Sequence, residues 1–219
     1  MANTATDASE LGLRELKKQR TRERIAETAR RLFAERGFEG VTIAEVARAA
    51  EVSEQTVFNY FPTKEDLVYW RLASFEEELL ATIREREPDE SVLRAFGRFV
   101  LQRRGLLAQQ DPQARERLAE LTRMITESPA LLAREREIFD RYTQSLAAVI
   151  AEETGARDGD VRPWVIANAL MGIHRALVDY SRTRIAAGAP HERIGRDVRA
   201  QGERALAALE DGLGSVGVR

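Results

Sequence analysis

Along residues 21–36, apolar side chains recur at Ile25, Ala29, Leu32 and Phe33, with charged residues between them. This is the i, i+4, i+7, i+8 spacing of a helix with one buried stripe, and Gly37 supplies its stop. Two short helical units follow. Thr42-Ile43-Ala44-Glu45 has the capping-box form, in which a hydroxyl and a carboxylate satisfy backbone N–H groups reciprocally. It opens a helix with Ile43, Val46, Ala47 and Ala50 on one face. Glu51-Val52 makes a short turn, Ser53 caps a second short helix ending at Tyr60, and Pro62 stops it. Thr63, with Glu65 and Asp66 in the first turn, begins a longer helix expected over residues 63–86.

From about residue 90 the pattern lengthens, and helices are expected at 90–108, 112–126, 129–153, 161–187 and 191–213. All six prolines fall at helix starts or in the gaps before them. No run of period-2 alternation and no internal repeat interrupts this. The expectation is an all-α chain with an arm over residues 1–19, a three-helix unit over 20–66 and a larger helical bundle over 67–219. Composition agrees: 43% hydrophobic residues can build a core, while aromatics are only 6% and Arg, Ala, Leu and Glu dominate.

Charge narrows the chemistry. The net charge of −2 excludes a general polyanion coat, yet residues 14–36 hold nine Arg or Lys against four Glu. Cysteine is absent, so there is no disulfide, thiolate metal site or Cys nucleophile. The two histidines, His174 and His191, are too few for a His-rich metal site, and no cofactor is expected. The first twenty residues lack an apolar signal core and no stretch is long and apolar enough to span a membrane, so a cytoplasmic location is expected.

Residues 42–67 read TIAEVARAAEVSEQTVFNYFPTKEDL. Two short helices joined by a tight turn, the second one polar, describe a helix-turn-helix. Ile43, Val46, Ala47, Val52 and Val57 would fix the angle between them, and Glu54, Gln55, Thr56 and Asn59 would face base edges. The ordered pieces "TIAEVA", "VS", "TVFNYF" and "PTKEDL", together with the preceding amphipathic helix, resemble the DNA-binding domain of the TetR family of bacterial transcriptional regulators. The resemblance implies roles by position. Thr42 and Ser53 would meet phosphates, Gln55 and Thr56 base edges, and Tyr60 and Lys64 the backbone, with Arg20 and Arg22 reaching it from the first helix or its arm. Two positions depart from the family pattern. Phe58 stands where Tyr is frequent, which removes a phosphate hydrogen bond. Glu51 stands at a turn position often held by Gly, with a cost on the order of 1 kcal/mol if its φ is positive. Acidic Glu54 either accepts from a cytosine amino group or repels phosphate.

The resemblance also implies that the bundle senses a small molecule and forms a homodimer. Candidate pocket residues are Trp70, Phe96, Phe99, Met124, Phe139, Tyr142 and Met171, with Arg103, Asn168 and His174 as polar groups within apolar stripes. Each has an ordinary alternative as core, ion pair or surface. The small residues Val165, Ala169, Gly172 and Ala176, with Ile194, Val198, Ala205 and Leu209 on the last helix, make a candidate two-fold interface. The expected function is a sequence-specific DNA-binding regulator, a repressor released from a palindromic operator by a ligand, and not an enzyme. The rivals are a nonspecific architectural DNA-binding protein and a helical-bundle enzyme. The Glu-x-x-His pairs of a di-iron bundle, a phosphate loop and a nucleophile elbow are all missing from the sequence.

Overall fold

The computed structural model describes residues 3–102 and 112–212, all-α among those residues. The chain divides into two compact units, residues 1–73 and 74–219.

In the first unit, α1 (Asn3–Arg36) carries Ile25, Ala26, Ala29, Leu32 and Phe33 on its buried stripe and ends at Gly37, whose φ is +76°. The helix continues back through residues expected to form an arm, a stretch rich in good helix formers and free of proline. α2 (Ile43–Ala49) and α3 (Glu54–Tyr60) follow as predicted, with the complete capping box at Thr42 and Glu45. Val46, Ala47, Val57 and Phe61 are buried among α1, α2 and α3. Thr63 and Asp66 cap one another's backbone N–H at 3.3 and 3.0 Å. The helix expected over residues 63–86 is in fact three pieces: α4 (Asp66–Tyr69), a 3₁₀ turn (Trp70–Leu72) and α5 (Ala73–Arg84). The 3₁₀ turn falls where the chain passes from one unit to the other.

The second unit holds the rest of α5, α6 (Val92–Val100), α7 (Pro112–Glu127), α8 (Pro129–Thr154), α9 (Arg162–Ala186) and α10 (His191–Glu210). α6 is shorter than expected, closing at Leu101. Ser128 caps α8 and Pro129 occupies its first turn; left-handed Gly155 ends it. The core runs through Leu79, Ile83, Phe96, Phe99, Leu131, Tyr142, Leu146, Ile150, Leu170 and Met171. Across α8 and α9, Arg175 meets Asp140 at 2.6 Å and Arg182 is bidentate on Glu135, the latter pair almost wholly buried. Gly97 and Gly202 permit close packing: a Cβ on Gly97 would lie 2.8 Å from Leu206, and one on Gly202 would overlap Leu101. No described helix is long and apolar enough to cross a membrane.

Candidate nucleic-acid interface

The buried back of α3 decides which side chains it presents. Val57 is fully buried and Phe61 nearly so, which turns Glu54, Gln55, Phe58 and Asn59 outward and leaves Thr56 and Tyr60 half-buried. Ser53 fixes the start of the helix by accepting from the Thr56 N–H at 3.1 Å. Gln55 Nε2 donates to Asn59 Oδ1 at 3.1 Å, so the two amides one turn apart are held together. The pair still offers a carbonyl acceptor and amide donors outward, the complement that the N6/N7 edge of adenine requires. Phe58, without the phosphate hydrogen bond that a Tyr would make, is 44% exposed on this same surface.

Thr42 is occupied before any phosphate arrives. Its N–H and its hydroxyl donate to Glu45 Oε2 at 2.8 and 2.9 Å, and Arg36 bridges to Glu45 Oε1 at 2.8 Å. The Arg36 guanidinium first, then Thr42, holds the Glu45 carboxyl down to about 2. Lys64 and Arg22 are seated on aromatic rings. The Lys64 ammonium lies 4.2 Å from the Phe38 ring centroid and 5.9 Å from that of Phe33, and the Arg22 guanidinium 5.7 Å from that of Phe61. These seats were not anticipated, although Phe33, Phe38 and Phe61 flank the motif. Arg20 is exposed. Glu51 has φ +54°, which meets the condition under which that turn position carries strain.

Within the second unit, four of the expected pocket residues meet in one aromatic cluster around a residue the sequence reading missed, Phe75. Its ring stacks on Tyr142 at 5.4 Å and on His174 at 4.7 Å, with the edge contact of Phe99 at 5.1 Å. Phe139 closes on His174 at 5.4 Å. Burial, helped by neighbouring Arg175, pushes His174 down to about 4, so its imidazole is neutral; burial raises Tyr142 to about 12. The nearby cation Arg141 is paired with Glu76 at 3.0 Å, and Ser145 donates to that carboxylate at 2.5 Å. The cluster's own side chains are neutral, with the Arg141 guanidinium 5.5 Å from the Tyr142 ring and that of Arg175 5.6 Å from the Phe139 ring. Beside it, an open cleft of about 330 Å³ is lined by Glu78, Ala81, Thr82, Glu85, Arg98 and Phe99, the last being shared with the cluster.

Other expected pocket residues lie elsewhere. Phe96 and Met171 are core and Met124 is half-buried. Trp70 belongs to the first unit, because the 3₁₀ turn comes before the boundary. Asn168 is exposed and donates to the Trp164 carbonyl on its own helix at 2.8 Å, since its position on α9 faces away from the buried stripe. Arg103 lies outside the described residues. No group of three or more His, Cys, Asp or Glu among the described residues has the arrangement to hold a metal.

The candidate interface residues separate similarly. Val165, Ala169, Gly172 and Ala176 are exposed along α9. Ile194, expected with them, is only 2% exposed because it packs into the chain's own core. Val198, Ala205 and Leu209 are half-buried. The sequence reading, which sought small residues, missed the large apolar neighbours Val161, Trp164 and Ile166, all exposed.

Comparison with known proteins adds two family models. "Bacterial regulatory proteins, tetR family" matches residues 25–69, and "MftR C-terminal domain" matches residues 90–213. The chain is 29% identical over 170 residues to the HTH-type transcriptional regulator TcmR of Streptomyces glaucescens, covering 76% of this chain and 75% of that protein. It is 24% identical over 157 residues to the putative mycofactocin biosynthesis transcriptional regulator MftR of Mycobacterium tuberculosis, covering 68% and 73%. Among solved structures, NalD, the secondary repressor of the MexAB-OprM multidrug efflux pump in Pseudomonas aeruginosa, superposes with a TM-score of 0.52 at 21% identity, over 85% of this chain and 96% of that one.

Proposed function

The chain belongs to the tetR family of bacterial regulatory proteins and is a DNA-binding transcriptional regulator; from that premise we propose that it is a homodimeric repressor, released from a palindromic operator by a small molecule. The observation that carries the reading is α3: a buried back at Val57, a capped start at Ser53 and an outward face of Glu54, Gln55, Phe58 and Asn59. In this reading Gln55, Thr56 and Asn59 address base edges, with Glu54 and Phe58 at the groove wall. Ser53, Tyr60, Lys64, Arg20 and Arg22 hold the phosphate backbone, and Thr42, expected with them, would reach a phosphate only by giving up its bonds to Glu45. Two such helices related by a two-fold axis would lie about 34–36 Å apart, or a multiple of a helical turn.

The effector enters at the aromatic cluster of Phe99, Phe139, Tyr142 and His174, together with Phe75. Support comes from its neutral aromatic side chains and from the neighbouring cleft, which shares Phe99 with them. The exposed apolar face of α9 supports the dimer. The residues 1–73 serve DNA and the residues 74–219 serve sensing and assembly, in the cytoplasm where the operator lies.

Selection from a random duplex library by the full chain, at several salt concentrations, tests the proposal. A two-fold symmetric site should emerge whose advantage over random duplex persists as salt rises. Binding without sequence preference would instead assign an architectural role. A candidate effector that weakens operator binding must itself be weakened by operator to the same factor.

A further inference from the structure

The base-reading segment has the wrong charge for its partner. Residues 42–67 hold five acids, Glu45, Glu51, Glu54, Glu65 and Asp66, against two bases, Arg48 and Lys64. A net −3 does not attract a polyanion, and phosphate neutralisation supplies much of the affinity in protein–DNA association. The compensating cations are segregated on one stretch of α1. Residues 14–24 hold six bases, Arg14, Lys17, Lys18, Arg20, Arg22 and Arg24, against Glu15 and Glu23.

The structure shows why this stretch is available. Every residue from Arg14 to Gln19 is exposed, as are Arg20 and Arg24, and burial on α1 sets in at Ile25. The face that packs through Ile25, Ala29 and Leu32 continues N-terminally into Arg14 and Lys18. Basic side chains thus replace apolar ones where the burial of the helix ends. Lys18 has Glu15 at 3.7 Å in a solvent-exposed pair of little strength. The starting point is fixed: Arg22 lies over Phe61, the residue that closes α3. At about 1.5 Å per residue, Arg14 lies about 12 Å further along the helix, the length of three to four base-pair steps measured along the duplex axis at about 3.4 Å each.

We propose that residues 14–20 of α1 form a phosphate clamp on the duplex flanking each half-site, with Arg14, Lys17 and Lys18 as its contacts. The clamp supplies ionic affinity that the acidic reading helix lacks and adds no base preference. This inference rests on the operator-binding reading above.

The test uses the full chain and the duplex it selects from a random library, prepared in a long form with about ten base pairs beyond each half-site and in a form trimmed to the half-sites. The variant replaces Arg14, Lys17 and Lys18 with Gln, a residue of similar helix propensity. The unmodified chain should bind the long duplex about tenfold more tightly than the trimmed one, and the variant should lose that preference. The slope of log affinity against log salt on the long duplex should become shallower by about 0.9 for each phosphate contact removed. The selected sequence should be unchanged. The opposite change, Glu15→Gln, should strengthen binding to the long duplex alone. If the unmodified chain ignores the flanks and both proteins share one salt slope, the clamp is overturned while operator reading stands. If no sequence is selected at all, the operator reading itself falls, and the clamp with it.

Discussion

Two helices turn outward a face that their own unit leaves uncovered, and they do so with opposite chemistry. α3 exposes Glu54, Gln55 and Asn59, with Phe58 the one large apolar side chain among them. α9 and the residue that leads into it expose Val161, Trp164, Val165 and Ile166, then the small Ala169, Gly172 and Ala176. A polar face stays hydrated at little cost and exchanges water for a partner reversibly. An apolar face open to water forfeits roughly 25 cal/mol for each Å² left uncovered, and contiguous patches of this kind mark association surfaces. The difference suits a reversible partner for α3 and a lasting one for α9.

The harshest way to break that comparison is to make the apolar face polar. Val165→Asp places a charge where the proposed dimer leaves it no partner, which should weaken self-association by about 3–5 kcal/mol. The chain's own fold should survive, because Val165 is 59% exposed. Sedimentation equilibrium reads the result, and unchanged dimerisation would remove α9 from the interface. Asn59→Asp on α3 should leave assembly untouched.

A second contrast separates the units by pH. Both histidines, His174 and His191, lie in the second unit. Burial holds His174 near 4, below its ordinary value of 6.5, so the unfolded chain takes up a proton there before the folded one does. Stability is therefore lost as pH falls from 6.5 towards 4, by roughly 3 kcal/mol at full extent, and is regained above that window. Thermal unfolding of the bundle should show this slope already between pH 6.5 and 5. His174→Gln should flatten it. A slope that survives the substitution would place the acid sensitivity elsewhere.

On the polar face the expected effect is smaller and more specific. Gln55→Ala should cost about 1–3 kcal/mol at the selected site and relax the preference for one base pair. Lys64→Ala should weaken all sequences similarly and make the salt dependence shallower. Equal loss on every sequence from both variants would reduce α3 to a backbone contact.

The two faces were not equally legible in the sequence. The first unit writes its geometry into local signals: Thr42 with Glu45, Ser53, and Thr63 with Asp66 are caps whose partners lie three residues away, and all three are present. The turn position was legible, though the sign of its φ was not. Glu51 occupies φ +54°, so Glu51→Gly should raise stability by about 1 kcal/mol in chemical denaturation. The bundle depends on contacts between residues far apart. Phe75 meets His174 only because α5, α8 and α9 converge, and nothing near Phe75 in the sequence announces that. Ile194 shows the same limit: helical spacing gives it an apolar stripe without saying whether its own chain or a second copy covers it. The single helix expected over residues 63–86 failed because its periodicity continues across a 3₁₀ turn that no proline or glycine marks.

The mildest substitution discriminates most finely between the two kinds of covered surface. Gly97 and Gly202 are explained within the chain, because a Cβ at either would meet Leu206 or Leu101. Gly172 has no such explanation: a Cβ there meets nothing within 4 Å. In a separated protomer, Gly172→Ala should therefore stabilise the helix by about 0.5–1 kcal/mol, the ordinary gain of replacing a mid-helix glycine. In the proposed dimer the same methyl group faces a helix of the second copy, and overpacking should reverse the sign. Thermal unfolding of Gly172→Ala in the Val165→Asp background and in the unmodified background makes the comparison. Opposite signs place Gly172 at the close approach of the two copies. The same gain in both would leave Gly172 in open solvent and move the contact towards Trp164, where the exposed side chains are large and close helix approach is not needed.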